Sequence, residues 1–147
     1  MIDAMKQLFF LLLFISTIPA IGQTSTQNWE TLSNLEYEKS SDEYGEIFIP
    51  KFGPGIKALE GKKIELSGYI IPFEGMFGPK KLIISSLPVA SCFFCGGAGP
   101  ESVAEVYLEE EVKYTAKKVK VIGKLKLNAE NADQLMYILK DAKMELL

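Results

Sequence analysis

The sequence predicts a mainly β protein: a small antiparallel barrel of the OB type with short helical turns. Two observations favour this fold class. From about residue 46 onward, short apolar runs alternate with turn residues, and no strand–helix–strand alternation typical of a parallel sheet appears. The composition is that of a globular protein, with 147 residues, of which 48% are hydrophobic and 24% charged. A β-sandwich is the alternative that the same pattern allows.

The clearest strand predictions, residues 63–70 and 118–127, follow from side chains that alternate between two faces. In residues 63–70, Ile64, Leu66 and Ile70 share one face, and Gly68 indicates a bend or bulge. The other predicted strands are residues 81–85 and 103–108. The tail from Asn128 fits both a helix and a strand, and a turn followed by a strand is favoured.

Residues 1–22 have the pattern of a signal peptide. Lys6 precedes an apolar run, and small residues lie just before a cleavage point expected near Gly22/Gln23. The apolar run is about half of the roughly 20 residues that a spanning helix needs, so cleavage is favoured over a retained anchor. We therefore expect a periplasmic or secreted protein with no membrane span after cleavage.

The rest of the chain divides into a lead-in and one domain. Residues 23–45 are polar and acidic, and Trp29, Leu32 and Leu35 have the spacing of a helical turn that docks by these side chains. Residues 46–147 are predicted to form the single OB-like barrel domain. This domain begins with an extended piece at 47–50, a turn at 52–55 and a helical turn closed by Gly61.

The charged residues exclude several function classes. All 16 basic residues are lysines, and without any His neither a Ser-His-Asp triad nor an imidazole metal ligand is possible. A formal charge of −3 makes nucleic acid a poor partner. The acidic run at 109–111 is interpreted as a solvated turn. The lysines at 118, 120, 124 and 126 are interpreted as a solvent face that keeps a sheet soluble and protects its edge.

The chemically unusual segment is the loop that contains both cysteines, Cys92 and Cys95. Two intervening residues let both sulfurs face a common point, as in zinc knuckles and dithiol redox sites. The glycines at 96, 97 and 99 allow backbone amides to approach closely, because no Cβ blocks them. Pro100 and Glu101 indicate the start of a helical turn, and a helix N-terminus near Cys95 would lower its thiol pKa.

Three hypotheses for this loop stay open. The first is a metal site with Cys92, Cys95 and Glu101 as ligands for zinc or another thiophilic ion. The second is a Cys92–Cys95 disulfide, although a four-residue loop stabilises a fold by only about 1.9 kcal/mol, against about 3 for fifteen residues. The third is a redox dithiol. A covalent haem site is excluded because Gly96, not His, follows Cys95. No catalytic residue is predicted.

Several motifs together resemble a family of small exported bacterial proteins of unknown function. They are Leu59-Glu60-Gly61-Lys62, Gly68-Tyr69-Ile70-Ile71-Pro72-Phe73 and Cys92-Phe93-Phe94-Cys95 running into Gly99-Pro100-Glu101-Ser102. The resemblance covers about residues 29–142. It implies an OB-like barrel in the envelope of Gram-negative bacteria and, from some relatives, a link to transport systems for metals.

The sequence thus predicts an exported, non-enzymatic accessory domain that binds a metal ion or small ligand at its C-x-x-C loop. Its partner would be an unknown envelope protein or transport system. A thiol-disulfide redox protein and a disulfide-stabilised envelope interaction module are the alternatives.

Overall fold

The computed structural model describes residues 24–147, so the predicted signal peptide and its cleavage point at Gly22/Gln23 lie outside the described residues. Two α-helices, seven strands and three short 3-10 helices follow one another along this part of the chain. Their bounds are α1 Ser25–Ser33, β1 Glu36–Asp42, β2 Gly45–Lys51, α2 Pro54–Lys57, β3 Lys63–Ile70, β4 Lys81–Ser85, η1 Val89–Ser91, η2 Phe93–Cys95, η3 Pro100–Ser102, β5 Val103–Leu108, β6 Val119–Leu127 and β7 Tyr137–Leu146. Neither helix is long and apolar enough to span a bilayer, within the part of the chain that is described.

Five strands close into a barrel in the order β3-β4-β5-β7-β6, with β6 returning to pair with β3. The mainly β class and the small barrel are therefore confirmed, and the ambiguous tail is the strand β7. The barrel is mixed rather than wholly antiparallel, because β5 and β7 run parallel. A ring of five strands cannot alternate in direction all the way round, so at least one neighbouring pair must be parallel.

The core lies inside the barrel and is lined by alternate residues of each strand. Ile64, Leu66 and Ile70 of β3 are buried, as the alternation predicts. They pack with inward side chains of the other strands, among them Ile84, Val106, Val121 and Leu139.

Gly68 lies where β3 changes its neighbour. The strand pairs with β6 up to Gly68 and with β4 from Tyr69 onward. A Cβ at Gly68 would overlap the backbone carbonyl of Ser85, lying 2.8 Å from its carbon. The predicted bend is thus a close approach of two backbones that only glycine permits.

Helix α1 covers the edge of β3 that has no strand beside it. The indole of Trp29 donates to the carbonyl of Ser67 at 2.9 Å, and the amide of Asn28 donates to the carbonyl of Glu65 at 2.9 Å. Leu32 is completely buried in the barrel core, and its carbonyl accepts a hydrogen bond from the Tyr137 hydroxyl at 2.6 Å. The predicted docking of the lead-in is confirmed, and its polar side chains replace missing ladder hydrogen bonds.

Strands β1 and β2 form a separate two-stranded ribbon. The ribbon spans the expected boundary between the lead-in and the domain at residue 45. Residues 36–42, in the predicted lead-in, pair with residues 45–51, which lie almost wholly in the predicted domain. Cross-strand ion pairs form from Lys39 to Glu46 and, at 3.5 Å, from Lys51 to Glu38. Phe48 is 62% exposed on this ribbon.

The lysines of β6 do not protect an edge, contrary to their interpretation from the sequence. Strand β6 is hydrogen-bonded to β3 on one side and to β7 on the other. Lys120 instead forms an ion pair with Glu145 at 2.8 Å. Closure of the barrel removes the edge, and the lysines remain as a solvent face.

A buried carboxylate on β5 gives a testable pH dependence. Glu105 is 3% exposed and accepts hydrogen bonds from the Tyr107 hydroxyl at 2.6 Å and from the Leu135 amide at 3.3 Å, while the Lys81 ammonium lies at 2.9 Å. Burial acts to raise its pKa, but the hydrogen bonds from Tyr107 and Lys81 outweigh burial and hold the pKa below its usual value. The folded state therefore favours the ionised carboxylate.

We expect the Glu105→Gln variant to lose about 1–3 kcal/mol of unfolding free energy at neutral pH. Because the folded pKa is lowered, the stabilisation is present above the unfolded pKa and is lost as pH falls through the folded pKa. The difference between wild type and variant should therefore shrink on acidification, measured by urea unfolding at about pH 7 and about pH 3. Glu130→Gln, at an exposed position, is the control; equal behaviour of the two variants would contradict the prediction.

Candidate functional site: the cysteine loop

The loop between β4 and β5 lies on the outside of the barrel. Ile83 of β4 and Val103 of β5 point outward and form a second apolar cluster with Ile71 and Cys92. In OB-type barrels the face of the second and third strands is a common ligand surface. Here the cysteine loop packs on part of that face. A ligand that approaches this part of the face therefore meets the side chains of the loop and not those of the strands.

The loop is tight because its backbone folds back on Cys92. The Cys92 carbonyl accepts hydrogen bonds from the amides of Cys95 and Gly97, both at 3.1 Å. Gly96 has a φ of 77°, and a Cβ at Gly97 would lie 2.5 Å from the carbonyl oxygen of Ser91. The predicted close backbone approach is found at Gly97, whereas Gly96 is required by its left-handed φ and not by a close neighbour.

The two thiols lie together but differ in access to solvent. Cys92 is completely buried and Cys95 is exposed, and both are free. The two side chains are close enough for Cys92 to raise the pKa of Cys95. A small molecule or partner protein therefore reaches Cys95 first, and Cys92 is reached only through Cys95 or after the loop opens.

The expected lowering of the Cys95 pKa is wrong. Desolvation and the neighbouring Cys92 thiol raise the pKa of Cys95 above its usual value. Cys95 is the last residue of the turn η2, and the turn at Pro100 begins further along the chain. No helix N-terminus therefore faces its sulfur.

Glu101 lies apart from the predicted metal set. Its carboxylate folds back against Gly99, where a Cβ would overlap it, and it is close enough to the phenol of Tyr37 to act on its pKa. Burial and this carboxylate raise the pKa of Tyr37. Within residues 24–147 no three His, Cys, Asp or Glu side chains group together as metal ligands. The structure brings Cys92 and Cys95 together but does not add Glu101, although the predicted turn at Pro100 is present.

Aromatic rings lie on the cysteine loop and beside it. Phe94 precedes Cys95 and contacts Phe93 edge-on at 5.2 Å between ring centroids and Phe73 at 6.5 Å. Phe73 comes from the loop after β3 and is 37% exposed. Phe73 could not be assigned to the site from the sequence, because only the tertiary fold brings its loop to the cysteine loop. The Phe-Phe pair inside the C-x-x-C motif was the one available signal.

Comparison of the chain with protein-family models, curated proteins and solved structures finds no match. The resemblance to small exported bacterial proteins therefore stays a prediction. What the chain does is inferred from the chemistry of its cysteine loop.

Proposed function

We propose that Cys92 and Cys95 form a reversible dithiol–disulfide couple, and that the chain is an exported thiol–disulfide module of the bacterial envelope. One observation carries the proposal: two free thiols lie near each other on a tight loop, one exposed and one buried. This arrangement gives one sulfur that meets the partner and one that completes the exchange.

The exchange takes place in two steps. The Cys95 thiolate attacks a partner disulfide, a Cys95–partner mixed disulfide forms, and the first partner sulfur leaves as a thiolate that takes up a proton. Cys92 then gives up its proton and attacks the Cys95 sulfur, which forms the Cys92–Cys95 disulfide and releases the second partner thiol. The cysteine pair loses two electrons and two protons, and the partner disulfide gains them.

The small stabilisation from such a disulfide and the raised pKa of Cys95 favour a reversible redox couple over a structural disulfide or a rapid enzyme. A disulfide across so short a loop stabilises the fold by only about 1.9 kcal/mol, and it is easily reduced when strained. The raised pKa of Cys95 lowers its thiolate fraction and so slows exchange relative to an ordinary cysteine. The couple therefore suits stoichiometric exchange with one partner.

A thiophilic metal ion is the second candidate, and the two adjacent free sulfurs favour it. Zinc usually takes four ligands. Because the described residues bring no third acidic or thiol ligand to the pair, the remaining ligands would come from water or a partner protein.

The first test is alkylation of the reduced full chain. We expect iodoacetamide to modify Cys95 at least about tenfold faster than Cys92, because Cys92 reacts only when the loop opens. The thiolate is the reacting species, and the pKa of Cys95 is raised. The rate of Cys95 alkylation should therefore increase about tenfold per pH unit between about pH 7 and pH 8.5. Peptide mass spectrometry measures both sites, with Cys92→Ser and Cys95→Ser as matched single-thiol controls.

The second part of the test decides between the two candidates. Protein purified with thiol trapping is analysed for disulfide and for metal before and after treatment with a small disulfide. A quantitative Cys92–Cys95 bond that dithiothreitol reverses supports the redox couple. Stoichiometric metal that blocks bond formation supports the metal site instead and overturns the redox proposal, as does failure of the metal-free pair to oxidise.

A further inference from the structure

The segment that carries Cys95 has no charge in its sequence. In a chain with 24% charged residues, no charged residue occurs from Leu82 to Pro100, the stretch that contains all but the first residue of β4 and nearly all of the cysteine loop. Glu101, the first charge after it, folds back against Gly99 and raises the pKa of Tyr37. Within this stretch a ligand at Cys95 meets only neutral side chains and backbone, and the residue next to Phe73, Glu74, is an exposed acid.

The lysines just before this stretch are already engaged. The Lys80 ammonium donates to the carbonyl of Glu109 at 3.2 Å, and the Lys81 ammonium pairs with the carboxylate of Glu105 at 2.9 Å. A disulfide that carries carboxylates, such as glutathione disulfide, thus finds no free cation supplied by this stretch. Binding of such a ligand would remove water from its charges without compensation.

Aromatic side chains beside the cysteine loop offer apolar contacts to a ligand. Phe73 and Phe94 lie edge-to-face beside the loop, and 37% of the Phe73 surface is exposed although it belongs to this ring cluster. Leu87, on the same loop as the cysteines, is also 37% exposed. Partly exposed rings next to a reactive atom contribute binding when an apolar group covers them.

We infer that the redox partner of Cys95 is a disulfide held in an uncharged, apolar polypeptide segment that packs on Phe73 and Phe94. The inference rests on the proposed dithiol–disulfide function and names its substrate class. The exchange is the one given above: the partner disulfide becomes two thiols, and Cys92 and Cys95 become a disulfide. The alternative substrate is a small, freely diffusing disulfide that carries carboxylates, and the test must distinguish it from the apolar polypeptide disulfide.

Two symmetric peptide disulfides test this inference on the reduced full chain. One is the disulfide of acetyl-Phe-Cys-Phe-amide, and the other is that of acetyl-Glu-Cys-Glu-amide. Each rate is divided by the rate of the same probe with N-acetylcysteine amide, which removes the intrinsic reactivity of the probe. We expect a normalised preference of about tenfold for the apolar probe, since one aromatic contact has an effect of this size.

Phe73→Gln should reduce that preference to about twofold or less, because it removes the exposed ring without touching either sulfur. Phe48→Gln is the matched control, a ring that is 62% exposed on the β1–β2 ribbon, and it should leave the preference unchanged. Equal normalised rates, or a faster acidic probe, overturn the inference while the dithiol function stands. Failure of both probes to produce a Cys92–Cys95 bond overturns the proposed function itself.

Discussion

Truncation of Leu32 to Ala is expected to lower the free energy of unfolding by about 2–5 kcal/mol. Leu32 is completely buried, and it is the side chain by which helix α1 enters the barrel core. Its removal would leave a cavity between the helix and the strands. The neighbouring backbone cannot easily move to fill it, because the Leu32 carbonyl is held by the Tyr137 hydroxyl at 2.6 Å.

Urea unfolding of the full chain, followed by the fluorescence of Trp29, measures this effect. The indole of Trp29 is bonded to the Ser67 carbonyl in the same helix–strand contact, so its emission reports the docked helix. Leu146→Ala is the matched control, the same chemical change at a leucine that is 64% exposed, with an expected cost of less than about 0.5 kcal/mol. If the two variants unfold alike, helix α1 is not part of the cooperative core.

Alternation predicted β3 and β6 well because every second residue of each is buried, whereas β4 and β5 are short apolar runs buried on both faces. The observed bounds of β3, β4 and β5 are those predicted from the sequence, and β6 begins one residue later than expected. The tail was ambiguous because its apolar residues fit both periods. Pairing decides it, since β7 has β5 on one side and β6 on the other.

The strand β1 could not be predicted from its own residues. Its sequence, Glu-Tyr-Glu-Lys-Ser-Ser-Asp, has no apolar alternation, and it becomes a strand only by pairing with β2. This ribbon carries Tyr37 to the carboxylate of Glu101.

The same limit applies to the candidate site. Spacing along the chain correctly indicated that Cys92 and Cys95 meet, because two intervening residues fix their separation. It could not show that Tyr37, more than sixty residues earlier, engages Glu101, or that Phe73 borders Phe94. Long-range contacts of this kind determine which side chains remain available to a ligand.

Substitution of Gly68 by Ala is expected to destabilise the protein by about 3 kcal/mol, at the upper end of the usual cost of overpacking. An added Cβ would overlap the Ser85 carbonyl and lie 3.1 Å from the Ile84 side chain. Neither neighbour can move cheaply, because Ser85 and Ile84 are paired with β3 on one side and with β5 on the other. Relief of the overlap would therefore separate β3 from β4 at the point where β3 changes neighbours.

Gly55→Ala provides the matched control within helix α2. There the added Cβ would meet only the methyl group of Thr31, at an ordinary 3.6 Å, and alanine is a better helix former than glycine. We expect this variant to be as stable as the wild type or more stable by up to about 1 kcal/mol in urea unfolding. If both variants lose a similar free energy of unfolding, the effect comes from replacing any glycine and not from the close approach of β3 to β4. If Gly68→Ala is destabilised and Gly55→Ala is not, the effect comes from the Ser85 contact.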